Sequence, residues 1–170
     1  MKTPSQTLPN ALMRVLFATN LSEPIALTDE VERLARQLDA ELFVLHVISP
    51  AQTAAIAPID PMTGLSGFAP YTLYDPRLEA NMEEAEEHAF KAFLIDRFRI
   101  PVQAGIRKGD PSPLILEDAN EHNVDYVVVG KRRHTRLEQF FVGSTAQDVI
   151  KKSRRPTIVL PVEEPSDTTD

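Results

Sequence analysis

Residues Leu42–Ile48 read Leu-Phe-Val-Leu-His-Val-Ile, apolar at every position except His46. A strand that is apolar on both faces belongs in the middle of a parallel sheet covered by helices on both sides. Asp125-Tyr-Val-Val-Val-Gly130 repeats the signal. Arg14–Thr19 and Arg155–Pro161 are shorter runs of strand formers, and Val102–Arg107 is a more polar one. Helical patterns alternate with these runs throughout. Strict alternation predicts an α/β fold: an open five-stranded parallel sheet with four helices on its two faces, Rossmann-like, joined by right-handed crossovers.

The helices have their own signals. Leu27, Val31, Leu34 and Leu38 recur at helical spacing, with Ser22 as the expected cap and Pro24 in the first turn. Asp75-Pro76 opens a second helix whose expected buried stripe is Leu78, Met82, Ala85, Ala89 and Phe93. Glu79, Glu83, Glu84, Glu86 and Glu87 fall off that stripe or at its margin and read as a solvated face. Glu84 and His88 could share a metal, but no third ligand is evident. After the turn Lys108-Gly109-Asp110-Pro111, Ser112 and Pro113 are the expected cap and first residue of a helix running to about His122. Gly143-Ser144-Thr145 opens the last helix, which runs to Ser153.

One domain, residues 13–162, is expected between an N-terminal extension (1–12) and an acidic tail (163–170) too poor in apolar residues to fold. Residues 49–74 hold Pro50, Pro58, Pro61 and Pro70 and form a loop far longer than such connections need. It is either a lid or partner contact, or a surface insertion.

Composition removes whole classes of function. The 170 residues contain no Cys, which excludes thiolate metal sites, iron–sulfur clusters and a cysteine nucleophile. A net charge of −7 argues against nucleic acid as the main ligand. No run approaches the ~20 apolar residues that span a bilayer, so no membrane role is expected. Met1–Asn10 lacks the apolar core of an export signal, and a cytoplasmic location is expected. There is no Gly-x4-Gly-Lys-Ser/Thr loop, no Gly-x-Gly-x2-Gly fingerprint, no Gly-x-Ser-x-Gly elbow and no zinc spacing among the four His. His46 reads as a satisfied core residue. No catalytic residue and no metal site is assigned. Lys151, Lys152, Arg154 and Arg155 end the last helix, where cations complement its dipole.

In open parallel sheets, ligands bind at the carboxyl ends of strands where strand order reverses. If the first and fourth strands are neighbours, Ala18-Thr19-Asn20, Val47 and Val129-Gly130 converge on one crevice. The loop after Gly130 leads to a helix start at Gly143, a natural anion site. Taken alone, Gly143-Ser144 reads as a simple turn and cap of the last helix.

Three segments together resemble the universal stress protein (UspA-like) family. They are Val15–Ser22 with its helix and Leu45-His46-Val47; Gly109-Asp110-Pro111; and Asp125–Gly130 through Gly143-Ser144 to Arg155–Leu160. The resemblance covers residues 13–162 and implies an adenine nucleotide alpha hydrolase-like sheet. Many members bind ATP through Gly, two residues, Gly, nine residues, Gly, then Ser or Thr. Here Gly130, Gly143 and Ser144 keep the spacing, and Arg133 replaces the middle Gly. The resemblance implies that Ala18, Thr19, Asn20 and Val47 line the adenine and ribose, that Val129 lies beside the base, and that Gly130, Gly143, Ser144 and Thr145 hold the phosphates. ATP, with or without Mg²⁺, is the implied ligand. Asn20 stands where the family often has Asp. Arg133 is either a phosphate ligand, through its fork of donors, or the mark of a site that has lost its nucleotide. The first reading makes the protein a nucleotide-binding stress-response regulator with an unidentified protein partner. The second makes it a dimeric interaction module of the same fold. Slow ATP hydrolysis or self-phosphorylation at Ser144 or Thr145 stays open. The family commonly dimerises through the last strand, which implies a homodimer interface at Thr157, Ile158, Val159 and Leu160; an edge covered by the tail or the long loop is the other reading.

Overall fold

The computed structural model describes residues 12–49, 76–131 and 143–161. The expected loop 50–74, Arg133 with the rest of 132–142, and both terminal segments lie outside the described residues. Five strands, β1 (Met13–Thr19), β2 (Ala40–Ile48), β3 (Val102–Lys108), β4 (Tyr126–Lys131) and β5 (Thr157–Pro161), form one sheet in the order β3-β2-β1-β4-β5. Every pairing is parallel. The helices are α1 (Ile25–Gln37), α2 (Pro76–Arg97), α3 (Pro111–Glu121) and α4 (Ser144–Lys152). No described helix is long and apolar enough to cross a membrane.

Strand alternation sorts the core into two layers. Val15, Phe17, Leu42, Val44, Val128 and Leu160 face α1 and α2, where they meet Leu27, Val31, Ala35, Phe90, Phe93 and Phe98. Leu16, Phe43, Leu45, Val47, Val127 and Val129 face α3 and α4, where they meet Ile115, Ala119, Ala146 and Val149. Each of the larger fully buried side chains contributes about 1.5–3 kcal/mol of burial free energy. β2 is buried from Leu42 to Ile48, as its two-faced apolar run requires.

Three local expectations are corrected. α1 begins one residue after Pro24, which is itself the N-cap, and Ser22 instead donates its hydroxyl and amide to Asn20 Oδ1. α3 begins at Pro111 with Asp110 as N-cap, and Ser112 is buried inside the first turn. Asp110 makes no side-chain cap bond, and Pro113 at the third helical position has no N–H for one. In α2, Ala85 and Ala89 are exposed, whereas Phe90 joins Phe93 in the core. A phenyl ring buries far more apolar area than a methyl group, so Phe90 decides which face turns inward. Gly109, at φ +142°, makes the turn from β3 into α3 in a conformation side chains rarely adopt, and its N–H donates to Ile48 O at 3.0 Å.

Candidate functional site

Strand order reverses between β1 and β4. Chain connections leave β1 toward β2 and β3 on one side, and β4 leads to β5 on the other. Ala18 is in register with Leu45 on β2 and with Val129 on β4, so the carboxyl ends of the three central strands lie side by side. Ala18, Val47 and Val129 all turn toward the α3/α4 layer. α4 starts at this end of the sheet on the same side. Ala18, Val47, Val129 and Gly130 therefore lie at the carboxyl end of the central strands, and Gly143, Ser144 and Thr145 form the start of the helix that follows β4.

The start of α4 is open. Gly143 is its N-cap at φ −53°, a conformation any residue adopts, and a Cβ placed there would meet nothing within 4 Å. Neither backbone geometry nor packing among the described residues requires glycine at this position. Gln147 N–H closes the first turn on Gly143 O at 2.9 Å. The amides ahead of it have no intrahelical acceptor and carry the positive end of the helix dipole. Ser144 is exposed and Thr145 half-buried.

The β1–α1 loop is held by a carboxylate that motif reading does not single out. Glu23 accepts the Thr19 hydroxyl at 2.5 Å and the Asn20 amide at 2.9 Å. Thr19 Oγ1 also accepts the Leu21 amide at 2.9 Å. Leu21 sits at φ +68°, which costs a non-glycine residue about 1–2 kcal/mol. The Asn20-x-x-Glu23 spacing is the signal: a carboxylate three residues on reaches back to an amide, as in a capping box. Thr19 is buried, its hydroxyl spent on Glu23 and its carbonyl facing His46 Nδ1. Asn20 is exposed, with Oδ1 committed to Ser22 and its amide hydrogens still able to donate.

Elsewhere, several charged side chains are paired for structure. Arg107 binds Asp118 at 2.7 Å and Glu117 at 2.9 Å on α3. Burial pushes the Asp118 carboxyl above its ordinary value, and the Arg107 charge pulls the other way without prevailing. Glu83 on α2 pairs with Lys108. A cavity of about 240 Å³, lined by Arg14, Glu41, Phe43, Gln103, Glu121, His122 and Val124, lies at the amino end of the sheet. Its arginine is already spent on Glu41 and the His122 carbonyl, and open α/β sheets bind at the other end. Among the described residues, no group of three His, Asp or Glu is arranged to hold a metal ion.

The model of the universal stress protein family matches residues 12–161. Universal stress protein MJ0531 of Methanocaldococcus jannaschii is 25% identical over 127 residues, 75% of this chain and 68% of that protein. The universal stress protein UspA of Lactobacillus plantarum superposes with a TM-score of 0.60 at 22% identity, over 89% of this chain and 99% of the other. A universal stress protein solved in complex with cAMP superposes with a TM-score of 0.52 at 18% identity, over 89% and 98%.

Proposed function

The chain belongs to the universal stress protein family, and on that premise we propose that it binds an adenine nucleotide, ATP, in the crevice between β1 and β4 and acts as a homodimeric stress-response regulator. One observation carries the reading. Among the described residues, Gly143 leaves open space at the N-terminus of the helix that follows β4, and Ala18, Val47 and Val129 share the face of the sheet that this helix covers. Among the described residues nothing requires glycine there, whereas a polyphosphate approaching the first amides of α4 does. That a universal stress protein of the same fold has been solved with cAMP supports an adenine ligand.

In this reading Val47 and Val129 flank the base, Ala18 supplies a small floor, and Asn20 donates to a sugar hydroxyl. The amides and hydroxyls of Ser144 and Thr145 take the phosphates, and Arg133 adds cationic charge. The described residues supply no carboxylate cage, so Mg²⁺ would be held chiefly by phosphate oxygens and water.

The test is thermal unfolding of nucleotide-stripped protein with ATP and Mg²⁺, alongside extraction of any nucleotide that co-purifies. Ligand at ~100 times its dissociation constant adds about 2.7 kcal/mol, a rise of roughly 5–10 °C at this size. Gly143→Ser keeps a favourable cap while filling the open space, so it should preserve the unliganded melting temperature and abolish most of the rise. No rise in the wild type and an empty extract would reject nucleotide binding and favour the interaction-module reading of Arg133.

A further inference from the structure

His46 interrupts the apolar run of β2 with 1% of its surface exposed. Its ring lies against Phe90, 5.7 Å between centroids. Nδ1 is 3.1 Å from the carbonyl oxygen of Thr19, and Nε2 is 3.1 Å from Glu86 Oε2 on α2. A carbonyl oxygen only accepts, so Nδ1 carries a hydrogen. A neutral ring then offers a lone pair at Nε2, and an ionised Glu86 offers only lone pairs in return. Making both bonds takes one proton more than a neutral His46 and an ionised Glu86 hold between them.

We propose that this single proton, held between His46 Nε2 and Glu86 Oε2, latches α2 onto the end of β2, sets the backbone at Thr19–Asn20, and thereby makes nucleotide affinity fall as pH rises. The link to affinity rests on the nucleotide reading of the site; the latch rests on the ring's two bonds alone. When the proton leaves for water, a lone pair faces a carboxylate and this polar tie between α2 and β2 is lost. The Thr19 carbonyl then loses a donor held by a fixed ring, one residue before the exposed Asn20.

Among the described residues, the charged groups around the ring are few. α2 presents Glu86 and, one turn earlier, Glu83, which is ion-paired to Lys108 of β3. The β1–α1 loop presents Glu23, bound to Thr19 and Asn20. β3 sets apolar Ile106 in register with His46, and α1 adds apolar Leu27 to the same layer.

The test uses the full chain. Imidazole ¹⁵N shifts of nucleotide-free protein should show both His46 nitrogens protonated, or Nδ1 protonated with Nε2 bonded to a protonated Glu86. From the acid to the alkaline end of the pH range over which circular dichroism shows the fold intact, the ATP dissociation constant should rise about tenfold as this charge-assisted bond is lost. Glu86→Gln donates its amide hydrogen to a neutral Nε2, so it should keep the tie and flatten the profile. Glu86→Ala should show the wild type's high-pH affinity at both ends. Protonation of ATP itself affects all three proteins alike and cancels in the comparison. A neutral ring opposite an ionised Glu86 across the range, a flat wild-type profile, or equal slopes in wild type and Glu86→Gln would each overturn the proposal. If ATP binds at no pH, the nucleotide reading fails by itself. Hydrogen exchange of the α2 amides near Glu86 then decides the latch: faster at high pH in wild type but not in Glu86→Gln supports it, and no difference rejects it.

Discussion

Thr19 Oγ1 donates to Glu23 Oε2 across 2.5 Å, closing the loop that follows β1 onto its own strand. The same carboxylate receives the Asn20 amide, and the same hydroxyl receives the Leu21 amide. These bonds offset the cost of Leu21 in the left-handed region and hold the chain at the edge of the crevice. Glu23→Ala removes the acceptor for two donors, and hydrogen bonds to charged groups contribute about 1.5–3 kcal/mol each. Urea unfolding should show a loss of about 2 kcal/mol, with Glu23→Gln, which keeps one acceptor, in between. A change within about 0.5 kcal/mol, the range of an ordinary surface substitution, would show that the loop holds its shape without Glu23.

Asp118 gives a stability test with a definite sign. It is 2% exposed, and burial raises its carboxyl above the ordinary 3.8 despite Arg107. The folded state thus binds this proton more tightly than the unfolded chain does. The stability this provides is complete below the ordinary carboxylate range and is lost as pH rises through the folded value. Asp118→Asn removes the titration. The difference in unfolding free energy, wild type minus variant, should therefore be largest in acid and decline as pH rises, measured by denaturant titration over a pH series. A difference that grows with pH would mean that the Arg107 ion pair outweighs burial.

The alternation of strands and helices was legible because period-two and period-3.6 patterns are local, and so was the common face of Ala18, Val47 and Val129, since strand parity fixes which residues share a face. Glu86 shows where local reading stops. Its place in a run of glutamates marks it as solvated, and only the packing of α2 across β2 brings it to His46. The start of α3 is a different case. Asp110 and Ser112 are both good caps, each followed by a proline, and nothing local decides between them. Phe90 shows a third: with apolar residues on two faces of α2, the bulkier ring sets the phase, which a count of apolar positions does not register.

The edge at β5 leads to the last prediction. The strand has one neighbour, β4, and lies at the margin of the sheet with Thr157, Ile158 and Val159 half-buried. An edge of five residues carrying Ile and Val is a template for another strand, bracketed here by Pro156 and Pro161, which limit how far pairing can extend. A two-fold axis would set Thr157–Leu160 antiparallel to the same residues of a second copy. Sedimentation equilibrium at tens of micromolar should then give twice the chain mass of 19.0 kDa. Thr157→Lys places a charge on each edge, a common device against edge pairing, and should halve that mass while leaving the circular dichroism of the sheet and helices intact. A single-chain mass for the wild type would refute the dimer, and a dimer unmoved by Thr157→Lys would place its interface away from β5.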